Sequence, residues 1–347
     1  MTASSPLLRR ALALAVVAGV LVALLLAPSV LSTFYTRLAT EVLIWAMFAM
    51  SLDLLLGYTG LPSLGHAAYF GIAAYTVALM NTHWGIESFG LNLLAALGIA
   101  LATAIVFGIL ILRTTHVTFL LITLALAQVL WGLAFRWAGF TGGDNGISGI
   151  PKPTLLGRSL ASVDNYYYFV LLAVAVGTLV LYLVTVSSFG HSLVGIRESA
   201  TRMAALGYNV WLHKYVAVLI AGVFAGLAGF LEIYQQQFVA PSYLEVQTSV
   251  KVLLIVMIGG AGTLFGPALG AAVVLLLEDR ISRETERWLM VMGALYIVIV
   301  LVARRGIVGE VRGLLHAAQR KRAEAGRIEA AERDEAEQFA APEEPGA

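Results

Sequence analysis

Ionisable side chains are rare in the apolar stretches of this sequence, and three of them could do chemistry there. Asp53 lies at the end of one apolar run, His66 follows a glycine, and Lys251 lies near the start of another run. Inside a membrane such groups couple ion flow, relay protons or pair with a charged solute. Each also has a structural alternative. Asp53 would hydrogen-bond backbone freed at a helix bend, His66 would pack or face water, and Lys251 would extend to the outer surface.

The sequence offers no convincing catalytic set, so we expect no enzyme. Ser63 and His66 are three residues apart, but that spacing alone does not create a nucleophile and its base. The motifs G-x-S-x-G and H-E-x-x-H are missing, and the chain has no cysteine. The nucleotide motif G-x-x-x-x-G-K-[ST] is missing too, so we expect this chain to bind no cofactor, no metal and no ATP.

Two clusters of small and helix-breaking residues interrupt the apolar runs, "GYTGLPSLGHAAYFG" at 57–71 and "IGGAGTLFGPALG" at 258–270. Glycine removes the side chain that separates helices, and proline removes a backbone donor. In a membrane both are tolerated where the freed carbonyls face protein or water. Paired interruptions favour a solute pathway, and the alternative is ordinary close packing of helices. The predicted pathway residues are Asp53, Gly57, Gly60, Pro62, Gly65, His66, Gly259, Gly260, Gly262, Gly266 and Pro267.

The composition shows which elements must hold these clusters. Hydrophobic residues make up 59% of the 347 residues and charged residues 12%, and the mean hydropathy is +0.86. The charged share is about half that of a soluble domain. The apolar runs are continuous and do not alternate, which excludes barrel strands. We therefore predict an all-α polytopic membrane protein, a helical bundle of about 8–10 transmembrane helices with broken or re-entrant segments.

The apolar runs also give the approximate bounds of these helices. Segment 248–278 contains the second glycine cluster, and its first apolar piece is only about half as long as a membrane span. We therefore expect a broken helix there. The other predicted helices lie near 11–31, 39–56, 64–81, 93–112, 117–138, 166–186, 214–235 and 288–303.

The distribution of basic residues predicts the orientation of the chain. The first apolar run resembles a signal peptide, but further spans follow, so we interpret it as an uncleaved helix. Its basic flank places the N-terminus in the cytoplasm. The loop 187–213 and the C-terminus then lie in the cytoplasm as well. The loop 139–165 lies outside, and its cluster "FTGGDNGISGIPKP" is typical of turns.

The chain divides into three parts by composition. Residues 1–37 form an N-terminal transmembrane helix and a connection, and residues 38–305 form the transmembrane domain. Residues 306–347 are rich in Ala, Glu and Arg, which predicts a charged, partly disordered cytoplasmic tail. The loop 187–213 mixes charged and helix-forming residues. We expect a short amphipathic helix from Ile196 to Leu206 that Gly207 ends, suited to a docking partner or simply a surface loop.

Four stretches in order resemble the LivM-type permease subunits of branched-chain amino-acid ABC importers. They are "LDLLLGYTGLPSLGHAAYFGIAAYT", "TGGDNGISGIP", "GIRESATRMAALGYNVWLHKYVAVLIAGVFAGLAGFLE" and "VMIGGAGTLFGPALGAAV". The resemblance covers 38 to about 305. It implies a multi-pass subunit of a bacterial inner membrane, with no catalytic site of its own. Pro62 and Lys251 depart from the family pattern, and the positive charge of Lys251 would favour an anionic group.

The resemblance also implies partners and roles. The partners are a second, LivH-like permease, two LivG- and LivF-like ATPases that bind the ATP, an external or lipid-anchored substrate-binding protein, and membrane lipids; nucleic acid is not expected. The loop that couples to an ATPase matches Arg197, Glu198, Arg202, Ala205, Leu206 and Gly207. The solute is a branched-chain amino acid, with urea or short-chain amides as the alternative in the same family. A self-sufficient secondary transporter and a scaffold without transport remain further alternatives.

Overall fold

The computed structural model describes residues 19–114, 116–155, 158–302, 306–307 and 309–310. The start of the first predicted helix and the charged tail from 311 onward lie outside these residues. The longer helices are α1 (Gly19–Val30), α2 (Thr33–Asp53), α3 (Ala67–Trp84), α4 (Phe89–Ile111), α5 (His116–Arg136), α7 (Val163–Val186), α8 (Ser188–Glu198), α10 (Val210–Gln236), α11 (Val246–Gly259), α12 (Phe265–Glu284) and α13 (Trp288–Val302). Two short helices, α6 (Ala138–Thr141) and α9 (Ala200–Ala205), lie in the connections.

The fold is an all-α membrane bundle, as the sequence predicts. Within the described residues, five helices are long and apolar enough to cross a bilayer: α2 with its continuation to Tyr58, α4, α5, α7 and α10. The helices α1, α11 and α13 are apolar but shorter. α2 and α10 are mostly buried, whereas α4, α5 and α7 expose large aliphatic side chains along much of their length. We therefore place α2 and α10 at the centre and the other three against lipid or a partner.

Small residues bring the central helices together. Gly222, Gly226 and Gly229 follow each other on one face of α10 at helical spacing. A Cβ atom added at Gly222 would lie 2.7 Å from Ala104 Cβ of α4, and one at Gly229 would overlap the Phe70 carbonyl of α3. The backbones approach closely because these positions carry no side chain, which is the usual way helices associate in lipid.

Three of the four short strands of the described residues lie in the connection between α5 and α7, and the fourth follows α10. β1 (Ile147–Ser148) pairs antiparallel with β4 (Phe238–Val239), and β2 (Thr154–Leu155) pairs with β3 (Arg158–Ser159). Gly146 has a φ of +66°, and a Cβ there would overlap the Val239 carbonyl. This loop thus contains the glycine turns that its sequence predicts. The pairing of β1 with β4 attaches the loop to the end of α10.

Both predicted interruptions are present. The short helix predicted in the loop 187–213 is also present, but it is divided in two. α11 and α12 replace the single segment 248–278, with a non-helical break between them. The helix expected from Ile196 to Leu206 is divided because Ser199 is extended, with a φ of −161°. The Ser199 hydroxyl then accepts a hydrogen bond from the Arg202 N–H and caps α9.

Candidate functional site

The first interruption follows α2 directly. The helix passes into one π-helical turn, Leu54–Tyr58, and the chain is irregular from 59 to 66 before α3 begins. Such turns are rare and are frequently found at functional sites. Gly57 lies inside this turn, and a Cβ added to it would lie 2.5 Å from the Cα atom of Gly262. The first glycine cluster therefore allows direct backbone contact with the second.

The second interruption is a tight turn between α11 and α12. Gly260 and Gly262 have φ angles of +113° and +78°, which side-chain-bearing residues rarely adopt. Leu264 also has a positive φ of +55°, an uncommon conformation for such a residue. The Thr263 hydroxyl donates to the Gly260 carbonyl at 2.6 Å and accepts from the Gly266 N–H at 3.1 Å. These bonds satisfy backbone groups that the break frees from helical pairing.

One carboxylate joins the two interruptions. Asp53, the last residue of α2, has an exposed fraction of 0%. Its Oδ1 atom accepts from the Gly262 N–H at 2.7 Å, and its Oδ2 atom accepts from the Leu264 N–H at 3.1 Å. The expectation that Asp53 satisfies freed backbone is right, but that backbone belongs to the second interruption and not to its own bend. We call Asp53, Gly57, Gly262 and Leu264 the break junction.

Arg197 connects the loop 187–213 to the break junction. Its guanidinium donates from Nη1 to the Gly57 carbonyl. The same Nη1 atom lies 3.3 Å from the position of a Cβ at Gly262, and the Arg197 Cγ atom lies 2.9 Å from one at Gly60. Glycine at these positions therefore leaves room for the arginine side chain. One residue of the loop thus touches both interruptions.

The other predicted coupling residues lie outside the junction and form an exposed surface. They follow Arg197 at the end of α8 and along α9, and the side chain of Leu206 has an exposed fraction of 68%. Gly207 has a φ of +89° and follows the end of α9, as predicted. This surface consists of Glu198, Arg202, Ala205, Leu206 and Gly207.

The remaining residues of the first cluster pack against neighbouring helices. His66 is buried, stacks on Phe48 with ring centroids 5.4 Å apart, and is hydrogen-bonded through Nε2 to Ser51 Oγ at 2.9 Å. Because the Ser51 hydroxyl donates to the Phe48 carbonyl, Nε2 of His66 is the donor in this pair. Gly65 lies against the backbone of Thr123 in α5, and Pro62 is half-buried.

The remaining residues of the second cluster flank the turn, at the end of α11 and in the first turns of α12. A Cβ added to Gly259 would overlap the Gly266 carbonyl and lie 2.7 Å from the Pro267 nitrogen. Gly270, one turn further along α12, lies against the backbone of α11. These residues therefore hold α11 and α12 at close approach on one side of the junction.

Sequence reasoning considered Lys251 but missed the charged residues that lie around it on α2 and α12. Lys251 Nζ forms an ion pair with Glu278 Oε2 at 2.6 Å and lies 4.3 Å from the centroid of the Trp45 ring. The charge of Glu41 interacts with those of Lys251, Glu278 and Asp279. We call these residues, together with Glu232, the charged cluster. Lys251 is therefore paired inside the bundle.

The chain is similar to permease components of bacterial transport systems. The model of the family described as "Branched-chain amino acid transport system / permease component" matches residues 34–300. Two relatives, from Salmonella typhimurium and Escherichia coli, are each named "High-affinity branched-chain amino acid transport system permease protein LivM". Each is 29% identical over 304 residues, which is 81% of this chain and 71% of the relative. No solved structure shows significant similarity.

Proposed function

The chain belongs to the permease-component family of branched-chain amino acid transport systems, and from that premise we propose that it is the membrane subunit of an ATP-driven importer. The solute is a branched-chain amino acid that moves into the cell by alternating access. Separate ATPase subunits bind the ATP and dock on the loop 187–213. This chain contributes helices and a pathway and performs no chemical step.

The contact of Arg197 with both interruptions is the observation that carries this proposal. The exposed surface from Glu198 to Gly207 offers apolar and charged groups to a docking ATPase, and Arg197 immediately precedes it. Its guanidinium bond to the Gly57 carbonyl connects that surface to the end of α2. A displacement of the docked loop would therefore move the break junction, and with it the helices that border the solute route.

The proposed assembly has four protein components besides this chain. They are a second, LivH-like permease, two LivG- and LivF-like ATPases, and a substrate-binding protein that is periplasmic or lipid-anchored. The assembly lies in the lipids of the bacterial inner membrane, and the N- and C-termini of this chain face the cytoplasm. The exposed aliphatic faces of α4, α5 and α7 support contact with lipid and with the second permease.

Reconstitution of the full complex in proteoliposomes tests the proposal. We expect uptake of radiolabelled leucine, isoleucine and valine that requires ATP and the binding protein. Gly207→Pro and Arg202→Glu should reduce uptake while ATP hydrolysis continues, because proline cannot adopt a φ of +89° and a reversed charge alters the docking surface. Arg136→Glu is the matched control, because Arg136 is exposed at the end of α5 and lies outside the loop.

Two outcomes would reject the proposal. Uptake driven by an ion gradient through this chain alone, without ATP, would show a self-sufficient transporter. Normal uptake by both loop variants would show that this loop does not couple to an ATPase. The same liposomes tested with urea and acetamide decide between amino acids and short amides.

A further inference from the structure

A cavity lies beside the charged cluster, away from the break junction. Its volume is about 360 Å³, and its walls include Trp45, Phe70, Glu232, Gln236, Tyr243 and Thr248. Trp45 precedes Asp53 by eight residues on α2, so the cavity lies roughly 12 Å along the helix from the junction. A volume of this size lies at the lower end of the range for small-molecule pockets.

Two residues in the cavity wall each have a buried polar atom with no hydrogen-bond partner within the described chain. These atoms are Oε2 of Glu232 and Nε1 of Trp45. The exposed fractions of these residues are 5% and 7%. The other carboxylate oxygen of Glu232 accepts from Gln236 Nε2 at 3.0 Å, so the side chain is held in place. A buried polar group without a partner costs free energy, which a ligand with matching groups would recover.

The surrounding charges leave an excess of carboxylate. Lys251 is paired with Glu278, and Arg283 is paired with Asp279 at 2.9 Å. For Glu41 and Glu232 the described residues provide no ion pair within 4.0 Å. Glu232 interacts electrostatically with Glu41 and, more weakly, with Lys251, whose charge is already paired with Glu278. The site would therefore gain most from a ligand that brings one positive charge to Glu232.

The rest of the wall is aromatic. The rings of Phe70 and Tyr243 stack with centroids 5.6 Å apart, and the rings of Trp45 and Phe70 are 6.1 Å apart. These surfaces suit an aliphatic group and also the face-on approach of an ammonium ion. A bare metal ion fits less well, because the described residues contain no group of three His, Cys, Asp or Glu that could hold one.

We propose that this cavity binds a zwitterionic amino acid with an apolar side chain, with Glu232 as the counter-ion of its ammonium group. The indole N–H of Trp45 donates to the solute carboxylate, and the Phe70 and Tyr243 rings contact the side chain. This assignment rests on the proposed function, because it gives the importer's membrane subunit its own solute site. It also favours amino acids over urea and simple amides, which carry no ammonium group.

Equilibrium binding of radiolabelled leucine to the detergent-purified complex, with the binding protein omitted, tests the site. Unlabelled leucinamide keeps the ammonium group and 4-methylpentanoate keeps the carboxylate. We expect leucinamide to compete and 4-methylpentanoate not to compete. Glu232→Gln should weaken leucine binding about tenfold or more, because it removes a charged hydrogen-bond partner. Glu284→Gln is the control, since Glu284 is an exposed carboxylate on α12.

Trp45→Phe provides a second, independent variant. It keeps an aromatic ring beside Lys251 but removes the indole N–H donor, together with the second ring of the indole. We expect it to weaken leucine binding more than leucinamide binding, because the leucinamide carbonyl is an uncharged and therefore weaker acceptor than the leucine carboxylate. If gel filtration of the complex shows that Glu232→Gln disturbs folding, the Trp45→Phe result alone decides whether the cavity binds the amino acid.

Several results would overturn the assignment. They are equal competition by 4-methylpentanoate and leucinamide, wild-type affinity in Glu232→Gln, equal losses for leucine and leucinamide in Trp45→Phe, or no saturable leucine binding to the wild-type complex. ATP-driven leucine uptake by the wild-type liposomes is measured separately. If uptake is present and any of these results is obtained, the cavity assignment fails while the proposed function stands.

Discussion

Replacing Gly57 by alanine adds one methyl group at the point where the two interruptions touch. The new Cβ atom would lie 2.5 Å from the Cα atom of Gly262 and would overlap both the Gly262 nitrogen and the Asp53 Oδ1 atom. Two of these obstacles are backbone atoms, which cannot turn aside as a flexible side chain can. We therefore expect the π-helical turn and the turn before α12 to separate.

The size of the effect follows from three contributions. Overpacking of a close contact costs about 1–3 kcal/mol. Loss of the hydrogen bond from the Gly262 N–H to the Asp53 carboxylate costs about 1.5–3 kcal/mol, because its acceptor is charged. Alanine is favoured over glycine in a helix by about 1 kcal/mol, which offsets part of this loss. The free energy of unfolding should fall by about 1.5–5 kcal/mol.

Unfolding of the purified chain in mixed detergent micelles, followed by circular dichroism, measures this change. Gly98→Ala is the matched control, because Gly98 lies in α4 with open space around its Cβ position. There the same substitution should raise the free energy of unfolding by up to about 1 kcal/mol. The two substitutions must change the free energy of unfolding in opposite directions. Equal stabilisation by both would refute the backbone contact at the break junction.

Three further substitutions test other contacts. Asp53→Asn should lower the free energy of unfolding by about 1–3 kcal/mol, because the amide leaves one buried N–H without an acceptor. As a control, the same substitution at the exposed Asp144 should change the free energy of unfolding by less than about 0.5 kcal/mol. Arg197→Ala should reduce ATP-driven uptake about tenfold with ATP hydrolysis retained, since the bond to the junction is lost; unchanged uptake would contradict this role. Tyr166→Phe should lower the free energy of unfolding by about 0.5–1.5 kcal/mol, because it removes the Tyr166 hydroxyl that donates to the buried Leu231 carbonyl. An unaltered unfolding curve would argue against that bond.

The sequence predicts the helices and both interruptions because each has a local cause. Continuous apolar runs determine the helices, and glycine and proline determine where they stop. The short first piece of segment 248–278 likewise identifies α11 from its length alone. These features depend on neighbouring residues, so they can be recognised without knowledge of the tertiary structure.

The contacts between distant residues could not be predicted in this way. Asp53 and Gly262 are 209 positions apart, and nothing near Asp53 indicates which backbone it will satisfy. The pair formed by Lys251 and Glu278 was missed for a different reason. Glu278 follows an apolar run, which is typical of a helix end, but α12 continues to Glu284. The helix therefore places this carboxylate beside α11, where a lysine side chain can reach it.

The shared carboxylate at the break junction also limits how the bundle can open. Asp53 belongs to α2, whereas both of its hydrogen-bond donors precede α12, and these helices pack along each other. Separating them would strand a carboxylate and two amides in a medium where water cannot replace the lost bonds. We therefore expect α2 and α12 to rotate as one rigid piece. In the proposed transport cycle, the bending that admits or releases solute would then occur in segments without helical pairing, foremost the irregular stretch 59–66 that leads into α3.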